Sequence, residues 1–107
     1  MTGATDIVSD GQTTYLLRNG DPIQTRVTGI GCSLSSFIAA TISDSRPGEE
    51  IVAVIAAISA FNVAAEKANA EPKPAGPASW AVRFLDILAT GPQSGFETDV
   101  KIEEIIV

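Results

Sequence analysis

The sequence predicts an α/β fold in which a short β-meander is followed by three helices and a final strand. Three observations predict it. An Asp10-Gly11 pair sits between two β-prone runs. At Gly29 the apolar spacing switches to that of a helix and keeps that character as far as Thr90. The tail Val100-Lys101-Ile102, then Ile105-Ile106-Val107, reads as a final strand.

Each element has a local reason. Ile7-Val8-Ser9 and Thr13–Leu17 flank Asp10-Gly11, and both turn residues tolerate positive φ, which is the signature of a hairpin. Asn19-Gly20-Asp21-Pro22 makes a second turn, and Ile23–Val27 reads as a third strand of the meander. Leu34, Phe37, Ile38 and Ile42 recur at helical spacing, giving a helix over Cys32–Ser43. Glu49–Ala70 reads as the longest helix, with Glu49 and Glu50 suited to the dipole of its first turn. From Ile51 to Ala65 it is apolar on nearly every face, interrupted by Ser59 and Asn62. Such a helix needs partners on more than one side, and a chain this short leaves part of it bare. After the breakers of Glu71–Pro77, Ser79–Thr90 is a third helix with Trp80, Phe84, Leu85 and Leu88 on one face, stopped by Gly91-Pro92.

Bulk properties exclude several classes. The 107 residues suit one small domain or a piece of a larger one. Seven basic residues are scattered against thirteen acidic ones, for a net charge of −6, so nucleic acid and anionic membranes are poor partners. The apolar run Ile51–Ala65 is too short to span a bilayer. With one cysteine, Cys32, no internal disulfide forms, and a reducing, cytoplasmic setting is expected. Histidine is absent, so any proton transfer falls to a carboxylate, the thiol or water.

The motif with chemistry in it is Thr28-Gly29-Ile30-Gly31-Cys32-Ser33. Glycines let the backbone approach a ligand, and a helix start offers free N–H groups and partial positive charge. Gly29 to Cys32 therefore form a candidate anion hole, and a thiol at a helix start has a lowered pKa. An ordinary strand–helix turn with a small buried cysteine is the competing reading. Thr2-Gly3 is a second candidate, as a strand-end loop touching a nucleotide. Gly76-Pro77-Ala78-Ser79 is a third, as a ligand-facing turn or a plain helix cap with Ser79 or Pro77 in the first turn. The acid pairs Glu49-Glu50 and Glu103-Glu104 read as solvated faces.

Taken in order, Thr2-Gly3, the two turns, Thr25-Arg26-Val27-Thr28, Gly29-Ile30-Gly31-Cys32 and Gly76-Pro77-Ala78-Ser79-Trp80 resemble the C-terminal part of hydroxyethylthiazole kinase, a family of the ribokinase-like superfamily. The cysteine closing the glycine motif discriminates, because sugar and pyrimidine kinases of that superfamily typically carry Asp there. Ala78 departs from the family's usual glycine, and Trp80 replaces its Phe. The resemblance implies a three-layer αβα fold of which residues 1–107 are the C-terminal segment, the N-terminal part being absent. It implies transfer of the ATP γ-phosphate to the hydroxyl of 4-methyl-5-(2-hydroxyethyl)thiazole in thiamine biosynthesis or salvage. Within it, Cys32 corresponds to the catalytic position near the substrate hydroxyl, Gly29 to a substrate contact and Thr2 to a nucleotide contact. Mg²⁺ is implied as cofactor, with its ligands outside these residues, and a homotrimer as the assembly. Two other readings stand beside this one: a non-catalytic fragment without the magnesium and most substrate residues, and another ribokinase-like small-alcohol kinase.

Overall fold

The hairpin forms where Asp10-Gly11 predicts it. Strand β1 (Asp6–Ser9) pairs antiparallel with β2 (Thr13–Leu17), Asp6 opposite Leu17 and Val8 opposite Tyr15. The Asp10 carboxylate accepts the N–H groups of Gln12 and Thr13, each at 2.9 Å. Thr13 first and Gln12 second hold that carboxyl below its ordinary value. The computed structural model describes residues 1–91 and 96–106, so Pro92 of the predicted helix stop and Val107 of the predicted last strand lie outside the described residues.

The predicted third strand, Ile23–Val27, is instead a 3-10 helix, Pro22–Arg26. Its cap explains the difference. Asp21 Oδ1 accepts the Ile23 N–H at 3.0 Å, and Gln24 Oε1 accepts the Asp21 N–H at 2.8 Å. Pro22 fixes φ for a helical start and lacks the N–H that a ladder needs. These local bonds outweigh the β preference of Ile23 and Val27. The third place in the sheet goes to β3 (Ile102–Ile106), which arrives from the far end of the chain and runs antiparallel to β2. The order is β1-β2-β3.

Three helices accompany this sheet, α1 (Ile30–Ser43), α2 (Glu50–Ala68) and α3 (Pro77–Thr90), each within two residues of its predicted bounds, and α2 is the one that packs on the strands. A four-residue helix α4 (Phe96–Asp99) precedes β3, with no apolar periodicity to announce it. Helix α2 is central, packing on β1, β2, α1 and α3. Its 19 residues have the length and composition of a bilayer-crossing helix, but 56% of its most apolar window is buried, as in a core helix. The burial is concentrated from Ala57 to Ala65, while Val52 near its start is 63% exposed.

An aromatic stack joins the helices. Phe61 of α2 meets Phe84 of α3 edge-on with ring centroids 4.9 Å apart, and Trp80 stacks on Phe84 at 5.0 Å. Phe37 of α1 tilts against Phe61 at 6.0 Å. Trp80 buries its ring and donates from Nε1 to the Ala65 carbonyl at 3.1 Å. Leu85 is 59% exposed, contrary to its predicted place on the inner face. One residue past Phe84 turns it about 100° around the axis, off the Trp80–Phe84–Leu88 stripe.

Polar side chains on α2 tie down the segments that cross it. Glu66 accepts the Gly20 N–H at 3.0 Å and both carboxylate oxygens accept from Asn19 Nδ2. Asn19, itself buried, also donates to the Asp99 carbonyl at 2.8 Å and accepts the Lys101 N–H at 2.6 Å, seating the entry to β3. Asn69 Nδ2 donates to Asp21 Oδ2 at 2.9 Å. At the end of α2, Arg83 of α3 donates to the carbonyls of Ala68, Ala70 and Pro72. The Ala68 carbonyl is one that a helix end leaves without an intrahelical partner, and those of Ala70 and Pro72 lie in the loop just beyond.

Because Phe61 contacts both flanking helices and is 1% exposed, Phe61→Ala is expected to remove about 3–5 kcal/mol of stability. Urea unfolding followed by circular dichroism measures this, and a midpoint unchanged from wild type would contradict the assignment of the core.

Candidate functional site

Gly29 ends the approach to α1 with φ of 92°, a left-handed conformation open to glycine and strained for other residues. It provides no side-chain cap. The first intrahelical bond runs from the Ser33 N–H to the Gly29 carbonyl at 2.9 Å. The N–H groups of Ile30, Gly31 and Cys32, one turn earlier, are left without an intrahelical acceptor. Nothing lies within 4 Å of where a Cβ would stand on Gly29 or Gly31. The helix start is therefore open, positively polarised and accessible, which are the properties an anion requires.

This helix start faces a cleft of about 630 Å³. Gly29, Ile30 and Gly31 form one wall, the 3-10 helix from Pro22 to Thr25 a second, and Thr2-Gly3 a third. Asp6 of β1 and Asn62 of α2 contribute to the floor. Thr2 and Gly29, which are 27 positions apart in sequence, thus share one cavity.

The Thr2-Gly3 wall is built by β1. Met1 and Ile7 pair in both directions, the Ile7 N–H donating to the Met1 carbonyl at 2.8 Å and the terminal ammonium donating to the Ile7 carbonyl at 2.9 Å. Within the loop so closed, the Gly3 N–H donates to Asp6 Oδ1 at 3.0 Å. Asp6 is buried because strand alternation puts it on the same face as Val8, towards α2. There Asn62 Nδ2 donates to its Oδ2 at 2.6 Å.

Cys32 is placed differently. It is exposed, not the small buried cysteine of the alternative reading, and it borders a separate trough between α1 and α3 with Phe37, Phe61 and Leu85. The cleft lining includes its neighbours Ile30 and Gly31 but not Cys32. Gly76 caps α3 through its backbone only, Pro77 occupies the first turn, and Ser79 is exposed. None of Gly76 to Ser79 lines the cleft. Sequence reasoning missed Asp6, Asn62 and Gln24. Their signal was Asn62 breaking an otherwise apolar helix, at a spacing of four and then three residues from Glu66 and Asn69.

A glycine-opened helix start on a cleft beside a small sheet places free backbone N–H groups where an α/β protein can receive an anion. Comparison with known proteins makes this specific. The model of the hydroxyethylthiazole kinase family matches residues 1–93, and the chain belongs to that family. Its fold superposes on the structure of a hydroxyethylthiazole kinase protein from Pyrococcus horikoshii OT3 with a TM-score of 0.82 and 33% sequence identity. The match covers 98% of this chain and 39% of that one, so the likeness continues past residue 93 into β3 while spanning well under half of the relative.

Gly31→Ala separates the site from the fold. The position has space for a methyl group, and alanine is favoured in a helix by up to about 1 kcal/mol, so the melting temperature is expected to hold or rise. The same methyl stands over the free N–H groups, and inorganic phosphate affinity is expected to fall roughly tenfold, the equivalent of one lost hydrogen bond. Calorimetric titration with phosphate checks this. Unchanged affinity with an unchanged melting temperature would contradict the anion site.

Proposed function

We propose that the chain provides the anion-binding part of a kinase that moves the ATP γ-phosphate to the hydroxyl of 4-methyl-5-(2-hydroxyethyl)thiazole, in thiamine biosynthesis or salvage in the cytoplasm. The observation that carries this reading is the shared cleft, whose lining includes both Thr2 and the uncapped first turn from Gly29 to Gly31. Family membership supports the choice of reaction.

In this reading the N–H groups of Ile30, Gly31 and Cys32 hold the transferring phosphoryl group. Phosphoryl transfer needs charge stabilisation and alignment more than covalent chemistry, and fixed backbone donors supply both without reorganising. Gly29 contacts the thiazole alcohol, where the lack of a side chain lets the hydroxyl approach the helix tip. Thr2 contacts the nucleotide from the opposite wall. The Cys32 thiol lies at the rim of the helix start and orients the alcohol, or accepts its proton, when the alcohol approaches over the tip of α1.

Magnesium would neutralise charge on the ATP phosphates. Among the described residues no three His, Cys, Asp or Glu side chains converge into a site for it, so the residues in hand do not fit the ion and no step here runs through it. This reading puts its ligands, with the rest of the thiazole pocket, on parts of the enzyme beyond these 107 residues. It takes the working assembly as a homo-oligomer, a trimer by family resemblance. The exposed Val52, Val82 and Leu85 are apolar surface for such contacts to cover.

A direct test grafts the chain into the Pyrococcus horikoshii relative in place of the segment it matches. Expected is ADP release that depends on the thiazole alcohol and falls at least roughly tenfold on Cys32→Ala, the scale of one lost acid–base or orienting contact. A chimera folded by circular dichroism but without thiazole-dependent ADP release would count against the reading. The 107 residues alone are expected to bind ATP without turning it over. Thiazole-dependent ADP release by the pure chain, abolished by Cys32→Ala, would show that they need nothing more.

A further inference from the structure

Two walls of the cleft are joined through its floor by one run of hydrogen bonds. The Gly3 N–H donates to Asp6 Oδ1, and Asn62 Nδ2 donates to Asp6 Oδ2. Gln24 Nε2 donates to Asn62 Oδ1 at 3.2 Å, and the Asp21 N–H donates to Gln24 Oε1. The run starts at the Thr2-Gly3 wall, crosses α2 and ends at the 3-10 helix.

Its polarity is over-determined. Both ends are backbone N–H groups, which only donate. Each side-chain amide accepts on one side and donates on the other, so Asn62 and Gln24 pass the direction along without reversing it. A run with a donor at each end closes only if it contains one residue that accepts on both sides, which is a carboxylate. Asp6 is that residue. With no carboxylate, two N–H groups meet somewhere in the run, and flipping either amide only moves the conflict. With two carboxylates, two acceptors meet. At the buried Asp6–Asn62 bond either fault is costly, because water does not replace the missing partner there.

We propose that Asp6 is a positioning residue for the nucleotide: as the single carboxylate of the Gly3–Asp6–Asn62–Gln24–Asp21 run, it holds the Thr2-Gly3 wall at the separation from the 3-10 wall that the bound nucleotide requires. This rests on the kinase reading, in which Thr2 contacts ATP. It concerns a residue that touches no ligand there and acts through Gly3.

The polarity rule gives a test that shape alone does not. Asp6→Asn removes the carboxylate and Asn62→Asp adds a second, both without changing size. The double variant Asp6→Asn/Asn62→Asp moves the carboxylate one place along the run and restores one acceptor-only member at unchanged net charge. Two readouts on the full chain suffice: exchange of the Gly3 amide by nuclear magnetic resonance, and affinities for ATP and for inorganic phosphate by calorimetry. In Asp6→Asn, Gly3 exchange is expected to quicken and ATP affinity to fall, each roughly tenfold. Phosphate affinity, set at α1, stays as in wild type. The double variant recovers both losses. A role in stability alone would shift melting without parting ATP from phosphate.

If Asp6→Asn keeps Gly3 protected, or if it loosens Gly3 and still binds ATP as wild type does, the proposal is overturned. It is also overturned if the double variant is no better than the single. Should Asp6→Asn not fold, the double variant decides: folded, with Gly3 protected and ATP bound, it supports the proposal, and unfolded it refutes it. Failure of the wild-type chain to bind ATP or phosphate sinks the kinase reading itself, an outcome distinct from variants that bind indiscriminately.

Discussion

Asn62, Glu66 and Asn69 lie on one side of α2, and the fold is arranged around satisfying them. A helix with apolar residues on nearly all its faces asks to be surrounded, and α1, α3 and the sheet do so with Phe37, Trp80, Phe84 and Leu17. Polar groups within that setting would be a large liability without partners. Here they become the points at which distant segments attach: β1 through Asp6, the Asn19–Asp21 turn through Glu66 and Asn69, and the entry to β3 through Asn19. Apolar burial drives α2 inward, and the polar stripe determines which segments meet it and at what height.

The local features were legible in the sequence. Asp10-Gly11 marked the hairpin and the apolar spacing marked three helices, because these depend on residues a few positions apart. The features that escaped were set by distance or competition. Ile23–Val27 carries β-prone side chains, yet Asp21, Pro22 and Gln24 close a capped turn that no propensity scale weighs. The true third strand is the partner of β2 only through contacts about 90 positions apart in the chain, which pattern reading does not reach. The candidate site was half legible. Gly29-Ile30-Gly31 declared an open helix start by itself. Nothing in the local pattern sets Asp6 apart, and only its place in β1, on the same face as Val8, turns it towards α2.

Cys32 shows where a motif and a site part company. The motif presents Gly29 to Cys32 as a unit, but successive residues of a helix point about 100° apart. Backbone donors of one turn converge on a single anion while the side chains diverge. The cleft receives Gly31, and the thiol borders the trough beside Phe37. What this stretch offers to the cleft is therefore foremost its backbone. The chain spans 39% of the matched relative, so most of that protein lies outside the likeness.

Arg83 gives the helical layer an asymmetry. By reaching the Ala68 carbonyl at the end of α2 and those of Ala70 and Pro72 in the loop beyond, it fastens α3 to α2 with directional bonds, and Trp80 adds another. The side-chain hydrogen bonds of α1, by contrast, close on its own backbone or its own preceding turn: Ser33 to Gly29, Ser35 to Gly31, Thr41 to Phe37 and Ser43 to Ala40. Only apolar contact, which has no preferred direction, connects it to its neighbours among the described residues. Helix α1 is thus seated by close packing alone, whereas α2 and α3 are also joined by bonds of fixed direction.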